Sequence, residues 1–169
     1  MMVQLVQPKN KKFLITAIVM ILAGLVFLGV GIYQVHSSRA DQNSTLPNFK
    51  PVLPQGKSIE SLGGWQKLTT PSGDTFYVYL DTVNGVTVNV SQQLLPGKFK
   101  DDVTNKMTDL ARAYNANTKL DVDGTRVYIG TSAKGPQSVL FTKNGLLILM
   151  KSWATIPDAE WTTYIKSLG

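Results

Sequence analysis

The chain lacks cysteine altogether and has a single histidine, His36, among its 169 residues. Disulfide bridges are therefore excluded, and the residue types that ligate transition metals or perform Cys/His nucleophilic catalysis are almost absent. The sequence also contains no P-loop, G-x-G-x-x-G or G-x-S-x-G motif. We therefore expect a protein that is not an enzyme and that holds no cofactor and no metal. A hydrolase with two converging carboxylates stays open, because sequence does not place such a pair in space.

Acidic residues are fewer than basic ones, with 11 Asp and Glu against 17 Lys and Arg, and the net charge is +6. Lys9, Lys11 and Lys12 cluster near the N-terminus, whereas the other basic residues are scattered singly. Nucleic-acid-binding proteins show basic stripes or patches instead. The charge pattern therefore predicts no nucleic-acid partner.

One long hydrophobic run, residues 13–35, carries no charge. A helix of this length spans roughly 34 Å, and the hydrocarbon core of a bilayer is about 30 Å thick. Because lysines precede the run, we expect residues 1–12 to be a cytoplasmic tail and residues 13–35 to cross the cell membrane once. The alternative is a signal peptide cleaved after Ala40. Gly24 and Gly31 would share one helix face, which favours a homodimer through the span.

Residues 36–57 contain Pro47, Pro51 and Pro54 between polar residues, and few large apolar side chains. This composition is typical of an extended linker that cannot form a core. We therefore predict a flexible linker at 36–57 and an extracytoplasmic domain at 58–169. A domain of this size folds without disulfides.

Alternation of apolar and polar residues predicts β-strands throughout this domain. Asn84-Gly85, Asp123-Gly124 and Asn144-Gly145 are typical two-residue hairpin turns. Residues 146–150 are apolar without alternation, which indicates a central strand that is covered on both faces. The predicted strands are 65–70, 75–81, 86–94, 119–122, 125–130, 139–143 and 146–151.

Two segments have helical periodicity instead. Apolar residues recur on one face of 99–114, and Asp101 and Asp102 would lie in the first turn of that helix. The second helix is predicted at 157–168, with Thr155 as its N-cap and Asp158 completing a capping box. The expected fold is α+β: an antiparallel sheet of about six to seven strands with both helices packed on one face.

Two stretches carry a resemblance to known proteins: VTVNVSQQLLP, which begins at Val86, and VYIGTSAKGPQSVLFTKNGLLILM, which begins at Val127. They resemble uncharacterised single-pass membrane proteins of ultra-small, candidate-phylum bacteria. More loosely, they are similar to extracytoplasmic sheet domains of bacterial anti-sigma-type membrane proteins. The resemblance implies an extracytoplasmic sheet domain without a catalytic motif. An anti-sigma protein also needs a cytoplasmic sigma-binding domain, for which residues 1–12 are too few.

A candidate ligand face follows from the strand pattern. If two neighbouring strands present their aromatic, amide and hydroxyl side chains on one outer face, the group suits recognition of a glycan or a peptide. The alternative is a solvated sheet face with ordinary cross-strand pairs. Loop 131–137 is a second candidate, for contact with a partner. The ligand-face residues are Tyr77, Tyr79, Asn89, Ser91 and Gln93, and the loop residues are Lys134 and Gln137.

The sequence as a whole indicates a bacterial, membrane-anchored binding or assembly domain whose partner is the lipid bilayer and another membrane or envelope protein. Two alternatives stay open. One is a subunit of an envelope machine such as a secretion or pilus system. The other is a hydrolase that uses carboxylates on a cell-envelope polymer.

Overall fold

The computed structural model describes residues 46–70, 73–132 and 135–169. The predicted tail, the predicted transmembrane helix, the first part of the predicted linker and Lys134 lie outside these residues. In the described part of the chain, no helix has the length and apolar character needed to cross a membrane.

The described residues form one seven-stranded sheet in which every neighbouring pair is antiparallel. Its spatial order is β1-β2-β3-β7-β6-β5-β4, so β7 is central and β1 and β4 lie at the edges. The predicted central position of residues 146–150 is therefore confirmed. The strands are β1 (Gln66–Thr69), β2 (Thr75–Val83), β3 (Val86–Leu94), β4 (Thr118–Val122), β5 (Thr125–Ser132), β6 (Gly135–Lys143) and β7 (Leu146–Ser152).

Three hairpins of the sheet close with two-residue turns. Asn84-Gly85, Asp123-Gly124 and Asn144-Gly145 all have positive φ at both turn residues, between 48° and 77°. Asn, Asp and Gly tolerate this left-handed backbone, whose twist matches that of the flanking strands. The predicted turns are therefore confirmed, and each one sets the register of the strands that it joins.

Two α-helices accompany the sheet: α1 (Val103–Ala113) and α2 (Asp158–Ser167). Asp102 is the N-cap of α1, and its side chain accepts a hydrogen bond from the backbone N–H of Asn105 at 3.1 Å. The predicted cap of α2 is wrong, because Pro157 occupies that position and no side chain caps it. Acidic residues in the first turn of α2 interact favourably with the positive end of the helix instead.

The helices lie on opposite faces of the sheet, so the prediction that both pack on one face is wrong. On one face, called here the α2 face, Trp161 Nε1 of α2 donates to Gln137 Oε1 at 3.0 Å. On the other, called the α1 face, Thr108 Oγ1 of α1 lies 3.4 Å from the Tyr128 hydroxyl. Strand β7 is apolar on both sides, and a strand of this kind requires cover on both faces.

The predicted linker ends earlier than residue 57. Val52 is fully buried, and its backbone N–H and C=O are both bonded to the buried Gln92 side chain, at 3.0 and 2.5 Å. Pro54 forms an isolated β-bridge with Leu168 at the end of the chain. Buried apolar contacts and backbone hydrogen bonds therefore make the segment from Phe49 onward part of the folded domain, despite its prolines.

Candidate functional site

The five residues of the predicted ligand face do not share a face. In the register of β2 and β3, Tyr77 pairs with Gln92 and Tyr79 pairs with Val90. Both tyrosines therefore point to the α2 face, whereas Asn89, Ser91 and Gln93 point to the α1 face.

Tyr79 and Tyr77 belong to the core of the domain. Tyr79 is 1% exposed, and its hydroxyl donates to the Val52 carbonyl at 3.4 Å. Its ring meets that of Trp65 edge to face at 5.4 Å, and Tyr77 packs in the same manner against Phe49 at 5.5 Å. The strand pattern identified the alternation of β2 correctly, but the prediction that the tyrosines lie on an outer face is wrong, because both are buried; on the opposite face Val78 is buried too and Leu80 is 41% exposed.

The remaining polar residues of the predicted face join two others from distant parts of the sequence. Asn89 of β3 pairs with Lys151 of β7, and Lys151 pairs with Ser138 of β6. With strands about 4.8 Å apart, these three side chains follow one another across about 10 Å of the α1 face. Ser91 lies on the same face, two residues along β3. We call Asn89, Ser91, Ser138 and Lys151 the polar row.

The polar row is buried and incompletely hydrogen-bonded. Its members are 3%, 2%, 0% and 5% exposed, respectively. Among the described residues, Asn89 Nδ2, Ser91 Oγ and Ser138 Oγ have no hydrogen-bond partner. Each such group costs roughly 1–3 kcal/mol when it stays unpaired. Native proteins keep few groups of this kind, so three within one row are an unusual feature of this sheet.

The unpaired groups of the polar row are one amide NH₂ and two hydroxyls, and none of the residues that share the α1 face on β3, β6 and β7 is acidic. Such donors complement carbonyl or carboxylate oxygens. Sequence reasoning missed Ser138 and Lys151. The available signal was that Lys151 lies two residues after Leu149 in the central strand and therefore shares its face.

The predicted partner loop is described only in part. Gln137 Oε1 accepts hydrogen bonds from the Ile156 backbone N–H at 2.7 Å and from Trp161 Nε1 at 3.0 Å. This side chain therefore holds the start of α2 against the sheet, and its carbonyl oxygen is already engaged. Lys134 lies outside the described residues.

A second polar cluster surrounds Asp81 on the α2 face. Its Oδ1 accepts from Lys57 Nζ at 2.5 Å and from the Thr82 backbone N–H at 2.7 Å, and its Oδ2 accepts from the Tyr164 hydroxyl at 2.9 Å. Burial raises the pKa of the Tyr164 phenol well above its ordinary value, and the nearby Tyr79 and Asp81 raise it further. Because both oxygens of Asp81 are engaged, the cluster ties the segment before β1 to β2 and α2.

An open depression of about 620 Å³ lies beside this cluster, between residues 56–62 and the end of the β2–β3 hairpin. Within the described residues, no three His, Cys, Asp or Glu side chains are placed to hold a metal ion. Comparisons with protein families, with curated proteins and with solved structures find no match for this chain.

Proposed function

We propose that this protein is a membrane-anchored, extracytoplasmic binding or assembly domain that contacts another envelope component through the α1 face of its sheet. The uncharged run 13–35 and the lysines before it support the anchor and its orientation. The anchored domain would then stand outside the cell membrane.

The observation that carries the proposal is the polar row. Hydrogen-bonding groups that are buried without partners destabilise a domain, and a bound partner with complementary polar groups removes that cost. Substitution of such hydroxyls by apolar groups should leave the fold intact or stabilise it, while binding is weakened. If the row had a purely structural role, the same substitutions would destabilise the fold and leave binding unchanged.

The alternatives receive less support. A carboxylate-dependent hydrolase needs two converging carboxylates. Asp81 is the buried acidic residue among those described, and both of its oxygens are engaged by structural partners. A subunit of an envelope machine is a special case of the assembly proposal, and constant co-purification at fixed stoichiometry would identify it.

Photocrosslinking in cells tests the proposal. A crosslinking amino acid replaces Thr87, which is exposed on the α1 face, or Thr163 on α2 as the control position. We expect reproducible capture of one envelope component at Thr87 and none at Thr163. The Ser91→Ala, Ser138→Ala double variant should lose this capture without losing stability. Unchanged capture in that variant, or equal capture at both positions, contradicts the proposal.

Membrane topology is tested separately. Because the chain has no cysteine, single introduced cysteines report without background. A membrane-impermeant maleimide should label Thr163→Cys in intact cells and Gln4→Cys only after lysis. The reverse pattern contradicts the proposed orientation.

A further inference from the structure

Strand β1 covers only part of β2. It pairs with β2 from Gln66↔Val78 to Thr69↔Thr75, whereas β2 continues to Val83. Among the described strands, residues 79–83 therefore have β3 on one side and no strand on the other. We call this side of residues 79–83 the open edge.

The hairpin between β2 and β3 decides which backbone groups face the open edge. In a two-residue hairpin the closing pair, Val83↔Val86, is hydrogen-bonded, and hydrogen-bonded pairs then alternate along the ladder. The N–H and C=O groups of Leu80 and Thr82 consequently point away from β3. The Thr82 N–H is satisfied by Asp81 Oδ1 at 2.7 Å. No backbone hydrogen bond from the rest of the described chain reaches Leu80 on this side.

The chain before β1 turns away before it can pair with Leu80. Continuation of the ladder would place Gly64 opposite Leu80, but Gly63 and Gly64 have φ of 85° and 86°. The Gly64 N–H donates instead to the Ile59 carbonyl at 2.8 Å. Glycine is the residue that adopts this left-handed backbone without strain, so two successive glycines fix the point at which β1 begins.

The open edge forms one wall of the depression of about 620 Å³. The other lining residues are 56–57, 61–62 and Thr87 of β3. This volume lies within the range of roughly 300–1,000 Å³ that is typical of ligand sites. An open strand edge that lines such a depression can receive one extended chain segment as an added strand.

We propose that the open edge binds an extended peptide segment of a partner protein, which adds as a short strand beside Leu80 and Thr82. Main-chain groups of the peptide pair with the N–H and C=O of Leu80 and with the C=O of Thr82. Leu80, which is 41% exposed, receives an apolar side chain of the peptide. This site uses the backbone of β2 and is independent of the side chains of the polar row.

Lys57 adds a preference for acidic residues. Its ammonium group donates to Asp81, while its side chain is 41% exposed. An ammonium group has three donors, so the group can also bind a carboxylate of the peptide. The preferred segment therefore carries an apolar residue and an Asp or Glu on neighbouring positions.

The test uses full-length protein in lipid nanodiscs and a library of random heptapeptides displayed on phage. Fluorescence anisotropy then measures the affinity of the enriched peptides for three variants. Leu80→Pro removes the outward N–H without breaking a bond to β3, and should weaken binding about tenfold or more. Leu80→Thr keeps the N–H and should weaken binding by less than about threefold. Lys119→Pro, at an outward-facing position of the opposite edge strand β4, is the control for a proline in an edge strand and should have no effect.

Two results overturn the proposal: no peptide is enriched, or Leu80→Pro binds the enriched peptides as tightly as the unchanged protein. The Ser91→Ala, Ser138→Ala variant separates this site from the polar row. Peptide binding that survives this variant but not Leu80→Pro supports the open edge alone. Peptide binding lost in the serine variant and kept in Leu80→Pro places the peptide on the polar row and refutes the edge site.

Discussion

Substitution of Gly130 by alanine should destabilise the domain more than any other single methyl addition to a described glycine. Gly130 lies in β5 under the segment that leaves α1. A Cβ atom at Gly130 would lie 2.3 Å from Cα and 2.4 Å from N of Ala116, and 2.5 Å from the carbonyl carbon of Asn115. These neighbours are backbone atoms, so no side-chain rotation relieves the clash. The connection from α1 to β4 must move away from the sheet.

The magnitude follows from the rigidity of that contact. Overpacking in protein interiors costs typically 1–3 kcal/mol and occasionally more. Because backbone must shift at Gly130, we expect a loss of about 3 kcal/mol or more. Domains of this size have a free energy of unfolding of about 5–15 kcal/mol. The expected decrease in Tm is therefore on the order of 10 °C.

Tryptophan fluorescence during thermal unfolding measures this effect in the full chain. All 3 tryptophans, Trp65, Trp153 and Trp161, belong to the described domain, so the signal reports on that domain alone. Gly97→Ala is the matched control, because a Cβ there meets nothing within 4 Å and its φ is not positive. The control should be neutral or slightly stabilising. A Gly130→Ala protein that melts within about 2 °C of the unchanged chain would refute the packing argument.

Three further changes should have measurable effects. Gln92→Leu leaves the buried N–H of Val52 without its partner and should lower the free energy of unfolding in urea by about 2–4 kcal/mol; a loss below about 0.5 kcal/mol contradicts the assignment of that segment to the fold. The raised pKa of Tyr164 means that the folded state holds the phenolic proton more tightly than the unfolded state. The contribution of Tyr164 to stability should therefore be constant below about pH 10 and be lost as the pH rises above it, so Tyr164→Phe should reduce the alkaline fall in stability; equal pH profiles for both proteins argue against this. Asp102→Ala removes the N-cap of α1 and should lower Tm, whereas Asp101→Ala should not; equal Tm values for the two variants would show that the cap does not matter.

Local features were predictable because short-range chemistry determines them. The hairpin turns need positive φ at two successive residues, and Asn-Gly and Asp-Gly adopt it whatever the rest of the fold is. The strands and both helices follow in the same way from periodicity within a few residues. The bounds of α1 shift to Val103–Ala113 because Asp102 caps the helix instead of lying in its first turn.

The burial of the tyrosines of β2 could not be predicted from β2 alone. Its two faces carry Phe76, Val78 and Leu80 or Tyr77 and Tyr79, and hydropathy favours the first set. Tyr79 lies inside with its hydroxyl bonded to the Val52 carbonyl, and Tyr77 lies inside with its ring against those of Phe49 and Trp65. Val52 belongs to a proline-containing segment whose polar composition predicts an extended linker. The sequence therefore did not indicate that this segment supplies a hydrogen-bond partner for Tyr79.

The polar row could not be predicted from local sequence either, because its residues come from distant parts of the chain. Asn89, Ser138 and Lys151 come together only because two hairpins set the register of three strands. The opposite placement of the helices, in contrast, was implicit in the sequence. A central strand without alternation needs cover on both faces, and a chain with two amphipathic helices meets this need by placing one on each side. Helix α1 meets this need on one face through contacts with β5 and β6, and α2 meets it on the other face through contacts with β4 and β2.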